Sequence, residues 1–308
     1  MPHRRPKGVL SMGWACLASA AAGRTEHVAT SDDYPDDVVR RVHFEAGGGL
    51  GWKLSAITTP RTKAAPWKIV VVTGAPSWAE YWAPALAALP QDREMIVVDR
   101  PGYAGSEPIE YVGDIAVQAR ALAPLLDAKP GQKVLLVGQS YGAAIASLMA
   151  ADNPRKVAGL VLLSGYFGES GPTARWLLDV GSRLLKVIPR DLRHAVIEVS
   201  NQPGQLDGFR AALAKLKAPV HVIHGDKDDF APIEIAERLV GETRTRRPMR
   251  FERVTGANHF LNDGPVEPLL AALEGCISVQ RPFFHLKLPP FPSLGFFKPK
   301  GPHSAAHA

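Results

Sequence analysis

A serine with glycines two positions away on either side, placed at the end of an apolar run, constrains this chain more than any other feature. The segment runs Lys133-Val-Leu-Leu-Val-Gly138-Gln139-Ser140-Tyr141-Gly142. A strand that turns directly into a helix forces its corner residue into a strained backbone conformation, and small residues on both sides leave room for the turn. Val134 to Val137 has the length of a strand buried on both faces, and Ala143 to Ala151 forms helix readily and lacks Gly and Pro. Strand, serine and helix thus follow in the order of a nucleophile elbow, with the Ser140 hydroxyl projecting above a sheet.

The same alternation continues from about residue 38 to residue 275. Strands are expected at Val38 to Phe44, Trp52 to Thr58, Lys68 to Thr73, Met95 to Asp99, Val134 to Val137, Gly159 to Ser164, Val220 to His224 and Arg250 to Val254. Several are continuous apolar runs, as in parallel strands covered on both faces. Helical patterns fill the gaps at Tyr81 to Ala88, Ile115 to Leu126, Ala143 to Ala151, Ile233 to Val240 and Val266 to Leu273. Only the turn Gly47-Gly-Gly-Leu-Gly51 separates the first two strands, so they are expected to pair as an antiparallel hairpin at the sheet edge. The fold class is α/β, with a mostly parallel sheet. Between Ser164 and Pro219 the gap is too long for a simple crossover. It carries Trp176, Val180, Leu184 and Ile188 at helical spacing before Pro189, which reads as a small helical cap over residues 165–218.

The net charge of +6 is carried by the two ends. Residues 1–22 hold Arg4, Arg5 and Lys7 with no acid, and residues 277–308 hold Arg281, Lys287, Lys298 and Lys300 with no acid. The body is close to neutral and has no general nucleic-acid footprint. The run Arg244, Arg246, Arg247, Arg250, Arg253 reads as a solvated loop entering a strand. Residues 1–22 have the three parts of an export signal: a basic start, an apolar stretch from Val9 to Leu17, and the small-residue end Ala18-Ser-Ala-Ala-Ala22. That predicts an exported, periplasmic or secreted mature chain, with a cytoplasmic chain carrying an N-terminal extension as the alternative. The apolar stretch is too short for a membrane span, so none is expected in the mature chain. Residues 23–37 read as a linker, 38–276 as the main domain, and 277–308 as a Pro/Phe-rich tail. Cys16 falls inside the signal, leaving Cys276 alone without a disulfide partner. His221 and His224, three apart on a strand, face opposite sides, which argues against a shared metal. Gly47 to Gly51 lacks the spacing of a dinucleotide-binding turn because Trp52 follows, and no cofactor is expected.

A serine hydroxyl needs a base to take its proton, and the base needs a third group to hold its tautomer. The seventh strand runs into Gly225-Asp226-Lys227-Asp228-Asp229-Phe230-Ala231-Pro232, and the eighth into Gly256-Ala-Asn-His259-Phe260. Ser, Asp and His therefore occur in that order at the ends of successive strands, where ligands of such sheets bind.

On these motifs, together with Asp99-Arg-Pro-Gly102-Tyr-Ala-Gly105-Ser106 after the fourth strand, residues 38–275 resemble the Ser-nucleophile branch of the α/β-hydrolase superfamily. The resemblance implies an eight-stranded, mostly parallel sheet with helices on both faces and a small cap. It implies Ser140 as nucleophile, His259 as base and then acid, and Asp228 as orienting carboxylate, with Asp226 and Asp229 as competitors. The oxyanion hole would comprise the backbone N–H of Tyr141 and that of Ala75 in the turn Thr73-Gly-Ala-Pro76, since Pro76 has no N–H. Thr73 stands where many members have His. Trp78, Tyr81, Trp82 and Trp176 are candidate pocket walls. The implied activity is cleavage of an ester or related acyl bond in a small to medium apolar substrate. Acyl transfer, C–C bond hydrolysis, cofactorless haloperoxidation, and a non-catalytic binding role on the same scaffold are the alternatives.

Overall fold

The computed structural model describes residues 29–243, 245, 249–259, 261 and 265–278. The expected export signal, the tail from residue 279 onward, and Arg244, Arg246 and Arg247 lie outside the described residues. The apolar runs form eight strands of one sheet: β1 (Arg40–Glu45), β2 (Lys53–Thr58), β3 (Trp67–Val72), β4 (Arg93–Val98), β5 (Lys133–Gln139), β6 (Val157–Leu163), β7 (Val220–Gly225) and β8 (Arg250–Val254). Their spatial order is β1-β2-β4-β3-β5-β6-β7-β8. β1 and β2 make the expected antiparallel hairpin, and β2 also meets β4 antiparallel. Every other pairing is parallel.

Side-chain alternation along the central strands divides the core in two. Val70 and Val72 of β3, Leu136 of β5 and Leu160 and Leu162 of β6 face one apolar cluster. Ile69, Val71, Leu135, Val137, Val161 and Leu163 face the other. Both faces of these strands are therefore buried, which is why they read as unbroken apolar runs.

Helices α1 (Ala83–Ala87), α2 (Ile115–Leu122), α3 (Gly142–Asp152) and α7 (Ile233–Glu242) connect strands, and α8 (Val266–Ile277) follows β8. Asp114 caps α2 by accepting from the N–H groups of Ala116 and Val117. The helix predicted over Ile115 to Leu126 changes to a 3₁₀ turn at Ala123, because Pro124 has no N–H to continue the ladder. Pro84 does the same at the other site: a 3₁₀ turn, Ala79–Trp82, precedes α1 instead of one helix from Tyr81. α3 is buried almost all round, consistent with its Ala-rich sequence.

The long gap after β6 holds α4 (Pro172–Arg183), α5 (Arg190–Asn201) and α6 (Leu206–Lys215). α4 packs on α5, where a Cβ at Gly181 would meet Val196. α6 packs on α3 instead, and its Phe209 and Leu213 join the main core. Among the described residues no helix is long and apolar enough to cross a membrane.

Candidate active site

Ser140 follows β5 with φ of 50°, in the left-handed region that a non-glycine residue rarely adopts. Its backbone is held in that conformation from several sides. The Ser140 N–H donates to Leu163 O, and Ser140 O accepts from Ala143 and Tyr166. A Cβ at Gly142 would lie 2.3 Å from Val72 O, and one at Gly138 would lie 2.6 Å from Ala143 Cα, so both elbow glycines are required by close backbone approach.

His259 emerges from the turn after β8 and is only 7% exposed. Its Nδ1 lies 2.8 Å from Asp228 Oδ2, and its Nε2 lies 2.9 Å from Ser140 Oγ. An ionised carboxylate only accepts, so Nδ1 carries the proton of the neutral ring and Nε2 is free to accept from the Ser140 hydroxyl. Of the three neighbouring acids, Asp228 is the one that meets His259. Asp226 Oδ1 accepts from the Gly256 N–H, and Asp229 accepts from the Thr173 hydroxyl at the start of α4.

The turn after β3 lies against the elbow: a Cβ on Gly74 would come within 2.9 Å of Ser140 Cβ. Ala75, next in the chain, is half-buried there, and Tyr141 is fully buried at the start of α3. The four aromatic candidates differ in burial. Trp82 is fully buried in the second core cluster, with its Nε1–H donating to Gln139 Oε1 beside Ser140. Trp78 is buried and meets Tyr81 edge-on. Trp176 is 63% exposed on α4.

The profile of the α/β hydrolase fold matches residues 68–203. A 2-hydroxy-6-oxononadienedioate/2-hydroxy-6-oxononatrienedioate hydrolase of Pseudomonas putida is 26% identical over 206 residues, covering 54% of this chain and 72% of its own. Among solved structures, an esterase of Rhodococcus sp. ECU1013 superposes with a TM-score of 0.55 at 18% identity, over 77% of this chain and 98% of its own. A meta-cleavage product hydrolase variant gives a TM-score of 0.56 at 16% identity, over 77% of this chain and 98% of its own. Over residues 68–203 the chain has the α/β-hydrolase fold.

This chain is an enzyme of the hydrolase class. Its site includes groups that the sequence motifs do not reveal. His224 sits at the end of β7, and its Nε2 lies 2.7 Å from Ala231 O and 3.0 Å from Asp228 Oδ2. Asp228 Oδ1 accepts from the N–H groups of Phe230 and Ala231. Burial alone would raise the Asp228 carboxyl, but the His259 charge and hydrogen bonds from both histidines outweigh it and hold the group well below the usual carboxylate range. Phe230 stacks on the His259 ring, with centroids 5.4 Å apart. Arg100, in the motif after β4, is fully buried and ion-paired to Glu198 of α5. His224 carries a weak sequence signal, since it adjoins the acid-loop motif. Glu198 has none, because its partner is 98 positions away.

Proposed function

We propose that this α/β-hydrolase is a serine hydrolase that cleaves an ester or related acyl bond of a small to medium apolar substrate. The observation that carries the reading is the pair of hydrogen bonds made by His259, from Nδ1 to Asp228 and between Nε2 and Ser140. Ser140 Oγ attacks the acyl carbon while His259 Nε2 takes its proton. The carbonyl oxygen becomes an oxyanion held by the N–H groups of Tyr141 and Ala75. Collapse breaks the bond to the leaving group, which takes the proton from His259 and leaves Ser140 acylated. Water then gives a proton to His259 and its hydroxyl to the acyl carbon. The acid departs as the proton returns to Ser140. Asp228 holds the imidazole in the required tautomer and offsets the imidazolium charge.

A second reading is hydrolysis of a C–C bond beside a ketone. It draws on the names of the Pseudomonas putida relative and of the meta-cleavage product hydrolase. The same serine, histidine and carboxylate serve it.

Labelling of purified protein with a fluorophosphonate probe, beside Ser140→Ala, tests the mechanism. Adduct on Ser140 that is lost in the variant is expected. No adduct on well-folded protein refutes it. Turnover of p-nitrophenyl acyl esters set against a 2-hydroxy-6-oxo-dienedioate then separates the two substrate readings. We also propose that residues 1–22 direct export and are removed. A native protein that starts at Met1 or Pro2 by intact mass overturns that proposal.

A further inference from the structure

We infer that the buried Arg100–Glu198 pair is a positioning device, which lets the cap helix α5 set the orientation of the oxyanion turn. The inference rests on the serine-hydrolase reading above.

Arg100 has five N–H groups and all five are used inside the protein. Nε donates to Thr73 O at 2.9 Å, and Nη2 donates to Gly74 O at 2.7 Å. Nη1 donates to Gln118 Oε1, and both terminal nitrogens donate to Glu198, at 2.6 and 2.7 Å. Gly74 C=O and Ala75 N–H belong to one planar peptide unit and point in opposite directions. A guanidinium that fixes the Gly74 carbonyl therefore fixes the direction of the Ala75 N–H, the donor assigned above to the oxyanion. The guanidinium also lies over the rings of Tyr103 and of Tyr141, the residue that carries the second donor, 4.9 and 5.0 Å from their centroids.

Glu198 is what holds Arg100 in place. Its carboxylate also accepts from Gln118 Nε2 at 2.8 Å and from the Tyr103 hydroxyl at 2.6 Å. Neither side chain of the pair reaches solvent. Removing two charges from water costs about as much as their attraction returns, so such a pair is a poor source of net stability. Its geometric consequence is definite. When α5 shifts, Glu198 moves, Arg100 loses its bidentate partner, and the peptide plane beside Ser140 is no longer held. Seating of the cap and assembly of the oxyanion hole are then one event.

Glu198→Gln in the full chain is the test, because it keeps the shape and removes the charge. The expected result is full final labelling of Ser140 by fluorophosphonate, with acylation rate and kcat down by about tenfold. KM should stay within about twofold, and affinity for a trifluoromethyl ketone, which forms an oxyanion on Ser140, should fall in step with kcat. Tyr103→Phe, which removes a single hydrogen bond from Glu198, should move kcat and ketone affinity the same way by less, and it carries the test if Glu198→Gln does not fold. Wild-type kcat and ketone affinity in a folded variant, even one with a lower Tm, overturn the inference while leaving Ser140 as nucleophile. Absence of Ser140 labelling in the wild type overturns the serine-hydrolase reading itself, and this inference with it.

Discussion

His224 Nε2 lies 3.0 Å from Asp228 Oδ2, the same oxygen that accepts from His259 Nδ1. Two imidazole nitrogens thus face one carboxylate oxygen, with His224 Nε2 also 2.7 Å from Ala231 O, and two backbone N–H groups donate to the other. Such a carboxylate has no freedom to rotate away from His259. His224→Phe keeps a buried ring and removes an N–H shared between Ala231 O and Asp228. It should cost about 2 kcal/mol in urea unfolding and lower kcat more than it raises KM. Unchanged kcat in a folded variant would show that His224 only packs.

Gly142 gives a test in which two effects have opposite signs. Helix propensity favours alanine there by at most about 1 kcal/mol. The added Cβ, however, meets the backbone oxygens of Val72 and Thr73 at 2.3 and 2.6 Å. Overpacking against backbone should win, and Gly142→Ala should destabilise by about 3 kcal/mol. A thermal melt that rises instead of falling would show that β3 and α3 are further apart than described.

His221 should make stability depend on pH. It lies buried on β7, and burial, assisted by the charge of Arg250, pushes its imidazole down to about 4. The unfolded chain protonates near pH 6.5 and the folded chain only near pH 4, so between them the unfolded state binds more protons. The stability from this group is thus fully present above pH 6.5 and lost as pH falls toward 4, up to about 3 kcal/mol. Asp228 has the same sign but acts only below the ordinary carboxylate range. Chemical denaturation of wild type and His221→Gln at pH 7 and pH 4.5 should show the smaller loss in the variant. Equal losses would remove His221 from the account.

Cys276 should be inert in the native protein. It is 8% exposed on α8, and burial, with the nearby charge of Glu252, pushes its thiol up to about 12. The reactive thiolate is scarce at neutral pH. Iodoacetamide at pH 8 should leave Cys276 unmodified until denaturant is added, as read by mass spectrometry.

Elements whose signals are local were legible along the chain. β5, the strained Ser140 and α3 follow from an apolar run, two glycines and an alanine-rich stretch within about twenty residues. The edge hairpin follows from one glycine-rich turn. Where a proline interrupts a helix, at Pro84 and Pro124, the pattern of apolar spacing ran on past a backbone that had lost a donor, and the expected helix was too long.

The order of strands, helices and chemical motifs in this protein was set by sequence alone, because periodicity and turn sterics act between near neighbours. Only tertiary structure brought His259 onto Asp228 and Ser140, and brought Glu198 from the cap onto Arg100 beneath the turn after β3. Those meetings depend on which strands lie side by side and on where an inserted helix docks. Neither leaves a spacing in the chain, because a hydrogen bond between residues 98 apart is decided by the packing of everything that separates them.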